Sequence, residues 1–181
     1  MPGGAHAAGI LDLPGFSRFN LEGPGAAEWL SLQVTGLVPK PGRIGLVYFS
    51  DDKGRIVTEM SVVRHGEDQM TLITAAVAQW HDFEWLKSRM PKNAPFTLID
   101  RTEEYSTQIL AGPNSPKILA EVCAADLSLP WLTHQETSIA GRWAKLVRVS
   151  FAGELGWEIH TKVGDTATLS TPSGPPARST A

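Results

Sequence analysis

The chain has a single cysteine, Cys123, among 181 residues. One thiol can neither close an internal disulfide nor build a thiolate metal cluster, so a reducing, cytoplasmic compartment is the simpler expectation. No run approaches the roughly 18 apolar residues a spanning helix needs, so no membrane segment is expected. The start, Met1-Pro-Gly-Gly-Ala-His6, carries neither a basic patch nor an apolar stretch and does not read as a secretory signal. Lys and Arg are nowhere clustered and the net charge is −3, which argues against a nucleic-acid or anionic-membrane partner. The P-loop, G-x-G-x-x-G, H-E-x-x-H and G-x-S-x-G signatures are all absent. His6, His65, His81, His134 and His160 show no metal-ligand spacing; His81, inside a helical pattern, reads as a cap or surface residue.

What remains is a globular composition, 42% hydrophobic with six Trp, enough for one or two small domains with real cores. Two stretches read alike. Phe16 to Leu30 and Tyr105 to Leu119 lie 89 residues apart, and five of their fifteen positions are identical. Each reads as a short strand, then Gly-Pro (Gly23-Pro24, Gly112-Pro113), then a helix. Gly permits the sharp turn, and Pro suits the first helical position because its missing N–H would be unpaired there anyway. Strand–Gly-Pro–helix punctuation also recurs by chance. Against chance, each copy is followed by extended segments opening on Gly-Arg, at Gly42-Arg43 and Gly141-Arg142.

In the first unit, Ile44 to Phe49 and Ile56 to Arg64 read as strands around the Asp51-Asp52-Lys53-Gly54 turn, followed by a short strand at Met70 to Thr74. Val77, Trp80, Phe83, Leu86 and Met90 recur at three or four and predict a helix over about 77–90. Phe96 to Ile99 reads as the strand leading out. The expected class is α+β, with helices on one face of antiparallel sheet, in two related ferredoxin-like lobes at 9–100 and 101–163. The Thr-, Ser- and Pro-rich stretch 164–181 reads as a disordered tail.

Two carboxylate positions carry chemistry. Glu59 sits mid-strand in Ile56 to Val63, where both alternate faces hold apolar residues, as in a strand covered on both sides. A carboxylate there needs a partner, a raised pKa or a ligand; the alternative is a solvated glutamate on a sheet surface. In Phe151-Ala-Gly153-Glu154-Leu-Gly156-Trp157-Glu158-Ile-His160, Gly153 and Gly156 pinch a loop between strands. Two carboxylates and an aromatic ring then gather at one Gly-defined corner, with Glu158 and His160 facing away from Trp157 and Ile159. A carboxylate beside aromatic surface can hold a planar, N–H-rich heterocycle. The alternative is a hairpin with a charged rim.

These residues resemble a known family. Phe151 to Glu158 is similar to the most distinctive motif of the glycine-cleavage T-protein (aminomethyltransferase) family, and Gly54-Arg-Ile-Val-Thr-Glu59 to its glycine segment ending in an acidic residue. Gly9 to Leu13 and Leu110-Ala-Gly-Pro-Asn match further landmarks, and the likeness covers residues 9–163. Ala125 to Ser128 with Pro130-Trp131-Leu132 resembles most the version fused to dimethylglycine and sarcosine dehydrogenases. The resemblance implies a three-lobed fold around a tetrahydrofolate site, of which this chain holds two lobes and lacks the third. It implies one-carbon (aminomethyl) transfer from a methylated amine, possible pairing with an FAD-dependent dehydrogenase, Glu59 in the catalytic acidic role, and Glu158, Phe151 and Glu154 in cofactor binding. Three departures bear on activity: Glu59 is more usually Asp, Phe151 more usually Tyr, and Ala75 often Asn. With the missing lobe, they leave weak activity, a non-catalytic folate-binding or regulatory module, and an inactive fragment as the alternatives.

Overall fold

The computed structural model describes residues 8–150 and 153–165. Phe151 and most of the expected disordered tail lie outside the described residues.

Chain order begins with β1 (Gly9–Asp12), β2 (Phe16–Glu22), α1 (Ala26–Gln33) and β3 (Val34–Thr35). Next come β4 (Ile44–Ser50), β5 (Ile56–Gly66) and β6 (Gln69–Ala75). A 3-10 turn at Ala76–Ala78 leads into α2 (Gln79–Arg89), and β7 (Thr97–Asp100) follows. The second half holds β8 (Tyr105–Ala111), α3 (Ser115–Val122), β9 (His134–Ile139), β10 (Arg142–Val147) and β11 (Gly156–Lys162).

These elements make an α+β fold with two antiparallel sheets, ordered β3-β4-β5-β6-β2-β7 and β1-β8-β11-β10-β9. Set side by side, β4-β5-β6-β2 and β9-β10-β11-β8 have the same order, so the repeat seen in the sequence is a repeat of topology. The loops agree. Gly23 (φ 123°) and Gly112 (φ 118°) hold the same left-handed turn. Their N–H groups donate to equivalent carbonyls, Asp68 at 3.0 Å and Leu155 at 2.8 Å. The two Gly-Arg steps are not equivalent, because Gly42-Arg43 precedes β4 whereas Gly141-Arg142 precedes β10, one strand later in the shared order. The outer place that β7 takes beside β2 is filled in the other sheet by β1, which pairs with β8 from Gly9↔Ala111 to Asp12↔Gln108. The first of the described strands thus completes the second sheet.

Each sheet packs one face on its own helices. Phe19, Leu21, Leu30, Val47, Phe49, Met60, Leu72 and Leu86 fill the first core. Leu110, Leu119, Leu146, Trp157 and Ile159 fill the second. The other faces meet through Ile44, Val63 and Val147, with Ile73 and Leu132 against them. Leu132 ties the lobes through its backbone as well: its N–H donates to Arg148 O and its carbonyl accepts from Ile44 N–H, both at 2.9 Å.

Helix α2 turns differently from the expected stripe. Phe83, Leu86 and Met90 join the first core, but Val77 is 100% and Trp80 74% exposed. The buried stripe is centred instead on Asp82, which is fully buried and accepts from the hydroxyls of Thr58 (3.0 Å) on β5 and Thr74 (2.5 Å) on β6. At about 100° per residue, Trp80 falls on the far side from Asp82, and Val77 precedes the helix in the 3-10 turn. His81 is more than half exposed and donates through Nδ1 to Asp82 at 2.8 Å.

The β9–β10 hairpin turns on Ala140 (φ 49°) and Gly141 (φ 78°) between the paired residues Ile139 and Arg142. Two-residue hairpins with positive φ at both positions favour Asn-Gly, because Cβ of Ala is crowded there. Ala140→Asn is expected to stabilise the chain by about 0.5–1 kcal/mol. A urea titration checks this through a higher midpoint with unchanged slope.

Candidate functional site

Two of the expected site residues, Glu59 and Glu158, stand on the two sheet faces that look toward each other. On the first sheet, Glu59 pairs with Tyr48 and Ser61 with Leu46, while Ser61↔Ile73 and Ile73↔Arg18 continue that second row. Next comes Ile44–Val63–Thr71–Asn20. On the second sheet, one row runs Ile109–Glu158–Val147–His134 and the next Thr107–His160–Lys145–Glu136.

Where Val63 meets Val147 the face is closed, with Val63 2% exposed. Four residues along β5, about 13 Å of strand, Glu59 is exposed, beside Leu46 (54%) and Tyr48 (39%). The expectation of a strand covered on both sides therefore holds at Val63 and fails at Glu59, whose carboxylate is solvated. Glu158 stands directly opposite Val147 and is partly buried. His160 donates through Nε2 to Glu158 Oε2 at 3.0 Å, and Trp157 and Ile159 point the other way into the core. Glu154 is exposed on the loop before β11, where Gly153 takes φ 81°.

Between the sheets lies a cavity of about 240 Å³, and among the described residues Glu59, Glu154 and Glu158 do not line it. A relay crosses it. Lys145 Nζ lies 3.4 Å from His65 Nδ1, His65 Nε2 donates to Thr71 Oγ1 (2.8 Å), and Thr71 donates to Asn20 Oδ1 (3.2 Å). Burial, then the nearby charge of Lys145 and the other two histidines, pushes the His65 pKa down to about 3. Burial likewise lowers His134 and His160, the latter against the raising effect of Glu158, so all three are neutral at pH 7. Burial also lowers the pKa of Lys145 and of Arg18. Among the described residues no three His, Cys, Asp or Glu side chains converge as a metal site. No helix among them is long and apolar enough to cross a membrane.

The profile of the GCVT N-terminal domain matches residues 5–171. The chain belongs to that family. Mitochondrial dimethylglycine dehydrogenase of Mus musculus is 27% identical to this GCVT domain over 165 residues, 89% of this chain and 19% of that protein. An aminomethyltransferase of Halothermothrix orenii is 29% identical over 155 residues, 84% of this chain and 43% of that protein. The crystal structure of glycine cleavage system aminomethyltransferase T from Bartonella henselae has the same fold, with TM-score 0.79 at 24% identity over 91% of this chain and 44% of that one. This GCVT domain thus spans less than half of those aminomethyltransferases and about a fifth of the dehydrogenase.

The residues around the cavity of this GCVT domain, Arg18, His65, Lys145 and Tyr105, were not singled out by the sequence. One signal was present: Trp143, Lys145 and Val147 alternate on one face of a strand whose other face, Ala144 and Leu146, is wholly buried. That places a lysine on a half-covered face, but not what covers it.

Proposed function

We propose that this GCVT domain binds tetrahydrofolate between its two inner sheet faces and serves folate-dependent one-carbon transfer. The observation that carries the reading is the pairing of exposed Glu59 with exposed Tyr48 beside Leu46, on the sheet face that looks toward Glu158. A flat heterocycle fits such surroundings: apolar and aromatic area for its ring, and a carboxylate for its N–H groups. His160 occupies Oε2 of Glu158, which fixes the carboxylate and leaves Oε1 to a ligand.

In this reading Glu158 grips the pterin. Glu59 orients the reacting nitrogen and takes its proton. Tetrahydrofolate, when bound, supplies the nitrogen that receives the one-carbon unit. Phe151 supplies stacking surface and Glu154 a second carboxylate at the rim. The dimethylglycine dehydrogenase among the relatives supports proposing a methylated-amine substrate and an FAD-dependent dehydrogenase partner. A cytoplasmic location rests on the lone Cys123.

A thermal-shift titration with tetrahydrofolate tests the reading. Binding at 100 times Kd adds about 2.7 kcal/mol, several degrees in a chain of this size. A flat melting temperature across the titration removes folate from the account. Glu59→Gln is expected to keep the shift and lose turnover. A wild-type shift without turnover favours the non-catalytic binding module instead.

A further inference from the structure

We propose that the interlobe cavity is a second binding site, for a small organic carboxylate held between the Arg18 guanidinium and the Lys145 ammonium.

Arg18 is the first reason. It is 5% exposed, yet among the described residues no carboxylate lies within ion-pair distance of it. Its terminal nitrogens donate to neutral acceptors only: Phe16 O at 3.5 Å, Tyr105 O at 3.4 Å and the Thr107 hydroxyl. Its Nε is buried with no partner. A guanidinium out of water with neutral, partly stretched hydrogen bonds is a poorly compensated charge, and its fork of donors suits a carboxylate. Glu158 acts on it only at longer range.

Lys145 is the second. Its side chain is 15% exposed, and its carboxylate neighbour Glu136 is 3.6 Å away and 62% exposed. An ammonium has three donors. His65 Nδ1 at 3.4 Å and Glu136 accept two of them at long range, so one remains for the cavity.

The sheet sets the two cations in line. Lys145 pairs with His160, His160 pairs with Thr107, and Arg18 donates to Thr107 from the other lobe. Arg18 and Thr107 are 89 residues apart, the spacing of the repeat, so equivalent strands of the two lobes meet here. Both cations line the cavity together with Asn20, His65, Thr71 and His160. The neutral histidines add polar nitrogens without adding charge. Tyr105 and Trp143, ring centroids 5.8 Å apart, form an aromatic wall, which suits an organic body better than a bare inorganic ion. Glu22 and Glu136 also stand at the lining and disfavour ligands carrying more negative charge than the two cations offset. A volume of about 240 Å³ is room for a small organic molecule of roughly ten heavy atoms or fewer, since a cavity of roughly 150 Å³ already holds benzene. Glu59 and Glu158 do not line this cavity, so the inference stands apart from the folate reading.

Isothermal titration of the full chain with succinate, with inorganic phosphate, and with sodium chloride at matched ionic strength tests it, using no folate. The expected result is one saturable succinate site, weaker binding of phosphate and none of chloride. Lys145→Gln should weaken succinate at least tenfold, and Asn20→Leu, which fills the cavity from the opposite lobe, should abolish binding. Circular dichroism melts verify that each variant is folded, and the two variants sit in different lobes, so loss of one fold leaves the other informative. Absence of succinate binding to the wild type overturns the proposal, as does binding that survives both substitutions. Phosphate binding as tightly as succinate overturns the carboxylate assignment.

Discussion

Replacing Glu158 by Gln is expected to weaken tetrahydrofolate binding by about 10- to 100-fold while leaving the fold intact. A hydrogen bond to a charged group is worth about 1.5–3 kcal/mol where its loss leaves a donor unpaired, and each 1.4 kcal/mol is tenfold in affinity. Gln keeps the shape and one acceptor but adds an amide donor facing ligand N–H groups, so one contact becomes repulsive. The side chain is partly buried and its tie to His160 is local, two residues along the same strand, so little stability hangs on it. Titrating both proteins by fluorescence or calorimetry decides the matter. Equal affinities would detach Glu158 from the pterin, and a variant with a lowered melting temperature would show a structural role instead.

The largest effect on stability is expected at Gly23. It holds φ 123°, a backbone region that side chains disfavour, and a Cβ there would stand 2.7 Å from Phe96 Cα and 2.8 Å from Pro95 O. Both obstacles are backbone, fixed by the pairing of β2 with β7 at Glu22↔Thr97. Gly23→Ala should therefore lose about 3 kcal/mol or more, roughly 10 °C in melting temperature. Gly54 is the control. It has φ 74° but open space around its Cβ position, so Gly54→Ala should lose only about 1 kcal/mol. Similar losses at the two sites would mean that the Phe96 backbone yields.

Much of the fold was legible because its signals are local. The strands at Ile44, Ile56 and Met70 follow alternation and turn residues, and the Gly-Pro steps mark the same left-handed turn twice. The pairing of β1 with β8 was not legible: nothing in four residues, all exposed in the final sheet, says which edge they join. Helix α2 misled because two large apolar residues at or just before its start fit the period, while the buried position went to Asp82, whose partners Thr58 and Thr74 stand on two neighbouring strands, outside the helix and its period. The candidate site was half legible. The facing of Glu158 and His160 follows from strand alternation alone. How much of the Glu59 face is covered depends on where the second lobe stops, a fact of packing between strands about 90 residues apart. The cavity escaped for the same reason.

The pairing of β1 with β8 also bears on how the chain reaches this structure. The first sheet is built from one unbroken stretch, β2 to β7, and can close as soon as that stretch exists. The second cannot reach its full width from its own stretch, because its edge strand was made first and must be retrieved across some hundred residues. Closing so long a loop is entropically unfavourable and slow compared with local hairpins. The docking of Gly9–Asp12 is thus expected to come late and to lock both lobes together, and the halves are unequal: the strands of one sheet come from a single stretch, whereas the other depends on a segment that the first carries with it.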